Sequence, residues 1–159
     1  MASTWSELGI RLMATGENSN AWGGQTNDNW NRLEDAADGF ATVAVSGATT
    51  LTFTAQPTSY ADENGRNKVL QFTGTAGGTQ AITFPNIEKT YHVLNDSNSI
   101  LTLTTGTGAA TVTLAAGKDK MIYNDGSDEI HDALANLSTT TIATSGAATI
   151  TGALTSGAG

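Results

Sequence analysis

The chain has 159 residues, enough for one domain of ordinary size or for a smaller domain with appended segments. Only 38% of its residues are hydrophobic and 14% are charged, whereas soluble domains have about 45–50% and about 25%. Threonine occurs 27 times and proline only twice. Threonine is β-branched, and disordered chains are rich in charge and proline, so the composition predicts a mostly β protein with a small core.

Charge and composition exclude several classes of protein. The net charge of −8 argues against a nucleic-acid partner, which would need a basic patch. No apolar run approaches the roughly 20 residues of a membrane span, so no membrane insertion is expected. The absence of cysteine excludes disulfides and thiolate metal sites. Glu7 and Arg11 lie within the first residues, which therefore lack the apolar stretch of a secretory signal. We expect synthesis in a cytoplasm.

Residues 1–40 are predicted to form an irregular polar arm followed by a short helix over 27–39. Thr26 or Asn27 can cap this helix, because their side-chain oxygens can accept free backbone N–H groups. Gly39 supplies a stop signal at its other end.

An apolar stripe runs along the predicted helix. Trp30, Leu33 and Ala37 fall at positions i, i+3 and i+7, and Trp22 lies just before the predicted start. Tryptophan is enriched at interface hot spots. We therefore expect the stripe to dock on a partner, with packing of both rings on the chain's own β domain as the alternative.

Residues 41–126 change to a period of two, typical of half-buried strands. Short turn signals, such as Gly77-Gly78 and the charged turn 62–66, separate the alternating segments and are predicted to close hairpins. This pattern predicts an antiparallel β-sandwich-like domain. The eight predicted strands cover 42–45, 50–54, 68–72, 80–84, 90–94, 100–104, 111–114 and 120–123.

The C-terminal part is predicted to be a short helical connector over 127–138 and the start of a fibre shaft over 139–159. The shaft segment is rich in Thr, Gly and Ala, and its sparse apolar residues can form a core only with other copies. Because it ends without a capping repeat, we expect the native chain to continue past residue 159. The residues expected to form a trimer are Ile130, Leu134, Leu137, Ile142, Ile150 and Leu154.

Candidate catalytic and metal-binding residues are few. His92 lies at an outward position of a predicted strand, without an indicated nucleophile. His131 has Asp125, Asp128 and Glu129 close in sequence, but their spacing matches neither an EF-hand loop nor a zinc helix. An acid-rich helix start is the preferred interpretation, with an ion on three His131 side chains at a trimer axis as the alternative. We therefore predict no catalytic residue, no metal site and no cofactor.

Several motifs resemble those of a known family. The spacing Thr-Gly-x-Asn, Trp-Gly, Thr-Asn-x-Asn-Trp-x-x-Leu over residues 15–33 resembles the N-terminal attachment segment of bacteriophage tail fibres and related virion proteins. The run from Pro85 to Gly126 looks like the β domain that follows that segment, and the Ile-Thr-Gly-Ala-Leu-Thr repeat is similar to the start of many fibre shafts.

The resemblance implies a non-enzymatic homotrimer in the virion tail, made in the host bacterial cytoplasm. It implies attachment to other tail proteins, such as an adaptor or nozzle, and contact with the host surface through a distal part not in this chain. The residues expected to dock are Trp22, Gly23, Thr26, Asn27, Asn29, Trp30 and Leu33.

Two other functions stay open. One is a fibre or decoration protein on the capsid. The other is a carbohydrate-binding β-sandwich module, which needs an exposed aromatic platform. Tyr60, Tyr91 and Tyr123 mostly fall at predicted core positions, which disfavours the second function.

Overall fold

The computed structural model of the chain describes residues 2–106 and 110–135. This part of the chain is mainly β, as the composition predicts, with one α-helix. In chain order the elements are β1 (Thr4–Trp5), β2 (Arg11–Leu12), α1 (Trp22–Asp38), β3 (Phe40–Ala44), β4 (Thr49–Thr50), a 3-10 turn (Asn64–Arg66), β5 (Val69–Thr73), β6 (Thr79–Thr83), β7 (Glu88–Asn95), β8 (Ile100–Thr104), β9 (Val112–Leu114), β10 (Lys118–Asp125) and β11 (Ile130–Asp132).

The strands of the described chain form three sheets. Strands β1 and β2 pair as a two-stranded sheet, a five-stranded sheet has the order β11-β10-β7-β5-β3, and a four-stranded sheet has the order β4-β6-β8-β9. The prediction of a wholly antiparallel domain is wrong, because β3, β5 and β7 are parallel neighbours and so are β4, β6 and β8. Within these two larger sheets, the antiparallel pairs are β7 with β10, β10 with β11, and β8 with β9.

Parallel pairing arises because the chain alternates between the two larger sheets. It crosses from β3 to β4, from β5 to β6 and from β7 to β8, so each pass places one strand in each sheet. Neighbouring parallel strands need a crossover between them, and here the strand in the other sheet supplies it. The segment with Gly77 and Gly78 therefore links two sheets and is not the hairpin turn that the sequence predicted.

Side chains from both larger sheets form one hydrophobic cluster. Strands β5, β8 and β9 contribute every second residue to it, as the alternating pattern predicts. The aromatic rings of Phe84 and Tyr91 meet edge to face at 5.0 Å within it. The buried members are Val43, Val45, Leu51, Leu70, Phe72, Ile82, Phe84, Tyr91, Val93, Leu101, Leu103, Val112, Leu114, Ile122 and Ile130.

Helix α1 begins at Trp22, five residues before the predicted start. Neither Thr26 nor Asn27 caps it; the N-cap is Ala21, without a side-chain hydrogen bond. The helix ends at Asp38, and Gly39 stops it as predicted, as a C-cap with an extended backbone. A Cβ at Gly39 would overlap Oδ1 of Asn67 and the backbone carbonyl oxygen of Asp35, so close approach is the reason for glycine there.

The second predicted helix is wrong. Residues 130–132 form strand β11, which pairs antiparallel with β10 by placing Ile130 opposite Asn124 and Asp132 opposite Ile122. Ile130 is buried in the hydrophobic cluster, whereas Leu134 lies in the following turn and is exposed. Ile130 and Leu134 are four residues apart, a spacing that also fits one face of a helix. Periodicity alone therefore predicted the wrong element for this segment.

Candidate docking surface

Helix α1 carries a polar face toward the rest of the molecule. Arg32 is buried, and its guanidinium approaches Oδ1 of Asn29 at 3.3 Å and Oδ2 of Asp28 at 3.8 Å. Asp28 also accepts the backbone N–H of Tyr60 at 3.0 Å, and Asp35 accepts the Tyr60 hydroxyl at 3.3 Å. Burial raises the pKa of Asp35 above its usual range, and the hydrogen bond from Tyr60 partly offsets that rise. The helix is therefore held by hydrogen bonds and charge pairs.

The opposite face of α1 carries the apolar residues. Trp22 is 64% exposed, Trp30 is 63% exposed and Leu33 is 44% exposed. Trp22 and Trp30 lie eight residues apart, which places them on the same side of the helix two turns from each other. We call Trp22, Trp30, Leu33 and the neighbouring Ile10 the tryptophan face.

A cleft of about 250 Å³ opens within the tryptophan face. Trp30, Leu33 and Ile10 form its apolar walls, and Thr26 and Asn29 complete its lining. Ile10 precedes strand β2, so the N-terminal hairpin builds one side of the cleft and the helix builds the other. Such a cleft is suited to an apolar side chain from a partner.

Asn29 joins the hairpin to the helix. Its Oδ1 accepts the backbone N–H of Arg11 at 2.9 Å, and its Nδ2 donates to the backbone carbonyl of Arg11 at 2.8 Å. The guanidinium groups of Arg11 and Arg32 lie over the ring of Trp5, at 5.2 Å and 5.8 Å from its centroid. These contacts fix the position of Ile10 relative to Trp30.

A buried arginine connects the hairpin to the β domain. Arg66 is fully buried, and its guanidinium donates to the carbonyl oxygen of Leu8 and to Oε2 of Glu63, the latter at 2.6 Å. Glu63 also accepts the hydroxyl of Thr54 at 2.5 Å. Burial raises the pKa of Glu63, but the hydrogen bonds from Thr54 and Arg66 outweigh burial and lower it overall.

The hairpin packs so closely on Arg66 that it requires a glycine. Gly9 has a φ of +71°, and a Cβ there would lie 2.9 Å from Nη1 of Arg66. The segment 62–66, predicted as a charged surface turn, is thus the anchor of the N-terminal hairpin. Nothing in the local sequence distinguishes a buried arginine from an exposed one in such a turn.

The structure divides the seven predicted docking residues into three groups. Trp22, Trp30 and Leu33 are exposed on one face, with Thr26 half-buried in the cleft. Asn29 instead faces the hairpin. Gly23 and Asn27 are exposed, and Gly23 is helical in the first turn of α1, where it makes no sharp bend.

The predicted trimer-forming residues are described only in part. Ile130 is buried within its own chain and does not face outward. Leu134 is 55% exposed, so it is free to contact another chain. The other four, Leu137, Ile142, Ile150 and Leu154, lie outside the described residues.

The two histidines lie on the five-stranded sheet. Nε2 of His92 is 3.2 Å from Oδ2 of Asp119, and His92 points outward as predicted. His131 lies on β11, where it comes together with Asp125 and Glu129. These three side chains could hold a metal ion, although their spacing in the sequence had predicted none.

The exposed surface also contains one of the tyrosines that were predicted to be in the core. Tyr91 is fully buried, whereas Tyr123 is 40% exposed.

No helix in the described ranges is both long enough and apolar enough to cross a membrane. Comparison with protein-family models, with curated proteins and with solved structures returned no match.

Proposed function

We propose that this chain is a structural component of a bacteriophage virion: a tail fibre protein that attaches to the tail through its N-terminal region and supports adhesion to the host surface. The observation that carries the proposal is the tryptophan face. Three of its four residues, Trp22, Trp30 and Leu33, occupy positions of the motif on which the resemblance to tail fibres depends, and these three are exposed.

Burial of the tryptophan face would supply affinity. An aromatic side chain buries about 150–250 Å², and apolar area contributes about 25 cal/mol per Å². Trp22 and Trp30 could therefore provide several kcal/mol to a complex. The helix and hairpin are held by Arg32, Asn29 and Arg66, so little ordering would be needed on binding.

The acidic character of the chain indicates the chemistry of the partner. The chain has a net charge of −8, and Glu34, which follows Leu33 on α1, is exposed. A complementary tail protein, such as an adaptor or nozzle, would present an apolar pocket with lysine or arginine at its rim. This arrangement would make association faster at low ionic strength.

The remaining parts have architectural roles in this proposal. The two larger sheets form a sandwich-like collar, and residues 139–159 begin a trimeric shaft. The mass of the full chain in solution, measured by light scattering, tests this part. A trimer is expected, and a monomer at all concentrations would contradict the shaft.

The location of the chain in particles tests the proposed function itself. Antibody-gold labelling of purified phage, viewed by electron microscopy, should mark the tail. Mass spectrometry of separated heads and tails provides an independent reading. A label confined to the head would instead support a capsid fibre or decoration protein, and absence from both fractions would contradict any virion role.

A carbohydrate-binding module is a second candidate. The exposed Tyr123 and Met121, which is 42% exposed, provide an apolar platform on the outer side of β10. Stacking on such a ring is one way in which a protein can bind a sugar. A glycan array probed with the full chain and with Tyr123→Ala tests it: binding lost in the variant supports the module, and no binding contradicts it.

A further inference from the structure

The hairpin formed by β10 and β11 brings three potential metal ligands together. Nε2 of His131 lies 3.6 Å from Oδ2 of Asp125 and 3.6 Å from Oε2 of Glu129. All three ligand atoms lie within 4.8 Å of one another. We propose that Asp125, Glu129 and His131 bind a divalent transition-metal ion, with Zn²⁺ as the representative ion.

Two of the three separations between ligand atoms are close to those that such an ion requires. Zn²⁺ binds imidazole nitrogen and carboxylate oxygen at about 2.0–2.2 Å, so two ligand atoms of a tetrahedral site lie about 3.4 Å apart. The two separations from His131 exceed that value by only a few tenths of an ångström. Small side-chain rotations of Glu129 and Asp125 would close the site.

Neighbouring groups hold two of the ligands in place. Oδ1 of Asp125 accepts the backbone N–H groups of Ser127 at 2.8 Å and Glu129 at 3.2 Å, which leaves Oδ2 available for an ion. The ring of His131 stacks on Tyr123 with centroids 6.4 Å apart and planes inclined by 24°. Outer contacts of this kind orient the ligands of metal sites.

Uncompensated negative charge provides a separate reason to expect a cation. Glu88 lies directly opposite Asp125 on the neighbouring strand, and like charges in that position are destabilising. Within residues 2–106 and 110–135, His131 is the only basic group that forms a charge pair with Asp125 or Glu129. The nearby Lys120 is engaged by Asp132.

The ligand set selects the class of ion. An imidazole with two carboxylates suits Zn²⁺, Co²⁺ or Ni²⁺, whereas Ca²⁺ and Mg²⁺ prefer oxygen ligands only. His131 is exposed, so water would complete the coordination. Three protein ligands on one hairpin would tie the edge strand β11 to the turn that precedes it.

Titration of the full chain with zinc chloride by calorimetry tests the site. The chain has no cysteine and two histidines, so His92 is the matched control. We expect one equivalent of Zn²⁺ to bind, at least about tenfold weaker binding in His131→Ala, and unchanged binding in His92→Ala. Circular dichroism without metal verifies that both variants are folded.

A spectroscopic measurement identifies the ligand directly. In ¹⁵N NMR spectra of the imidazoles, zinc should shift Nε2 of His131 and leave His92 unaffected. Absence of binding, loss of binding in His92→Ala, or binding of Ca²⁺ in preference to Zn²⁺ would each overturn the proposal. This site is independent of the proposed virion function, so either can fail without the other.

Discussion

The side-chain amide of Asn29 pairs with both backbone groups of Arg11, accepting its N–H at 2.9 Å and donating to its carbonyl at 2.8 Å. The Asn29 side chain thereby pairs with β2 as the backbone of a neighbouring strand would, and it connects β2 to helix α1. The pairing places Ile10 beside Trp30 and forms the cleft of the tryptophan face. A residue predicted to contact a partner thus acts by positioning those that are exposed.

Replacement of Asn29 should loosen the hairpin. Asn29→Ala removes both hydrogen bonds to the backbone of Arg11 and an acceptor of the Arg32 guanidinium. The free energy of unfolding should therefore fall by about 1–3 kcal/mol. Asn31→Ala is the matched control, because Asn31 is exposed on the same helix. Urea denaturation measures both variants. Equal stability of the two would show that the pairing with Arg11 contributes nothing.

Arg66 should be among the least replaceable residues of the chain. Arg66→Met leaves Glu63 buried without its cationic partner and removes the donor to the Leu8 carbonyl, at an expected cost of about 3–5 kcal/mol. Lys68→Met, at an exposed position nearby, should change stability by less than about 0.5 kcal/mol. A cost below about 1 kcal/mol for Arg66→Met would contradict the anchoring role of Arg66.

Lys89 should make stability depend on pH in the alkaline range. Burial lowers the pKa of Lys89 to about 8, even though its ammonium donates to the Ala36 carbonyl at the C-terminal end of α1. An unfolded lysine titrates near about 10.4, so the unfolded state binds more protons between these values. The free energy of unfolding should therefore rise between about pH 8 and 10, by at most about 3 kcal/mol.

A second buried group limits that rise. Burial raises the pKa of Tyr91, so above about pH 10 the unfolded tyrosine ionises first and stability falls again. Urea denaturation at a series of pH values should show a maximum near about pH 10. Lys89→Met should abolish the rise and keep the later fall. Persistence of the rise in Lys89→Met would assign it to another group.

Eight of the eleven described strands, β3 to β10, were predictable because alternation is a local property, whereas β1, β2 and β11 were missed. All eight predicted segments contain or overlap strands, although the second is extended only over Thr49–Thr50. Their partners were not predictable, because a period of two identifies the buried side of a strand and says nothing about which strand lies beside it. The alternation around residues such as Val69 and Val93 is the same whether a strand has parallel neighbours or belongs to an antiparallel hairpin.

The tryptophan face was predictable in part. The spacing of Trp30 and Leu33 indicated one apolar stripe, and both residues are exposed on one side of α1. The early start of the helix was missed because its first turn contains Gly23 and Gly24, and glycine has a low helix propensity. The buried role of Arg66 depends on contacts with residues 58 positions away, such as Leu8, and no local pattern encodes them.

The most direct test of the docking role compares folding with assembly in the double variant Trp22→Ala, Trp30→Ala. Both rings are more than half exposed, so we expect the free energy of unfolding to change by less than about 1 kcal/mol. The amount of chain retained in purified phage particles should fall at least tenfold, a loss of about 1.4 kcal/mol or more in binding. The control Phe40→Ala, Met121→Ala removes exposed apolar side chains elsewhere and should assemble normally. Normal assembly of the tryptophan variant, or its failure to fold, would contradict a docking surface at this face.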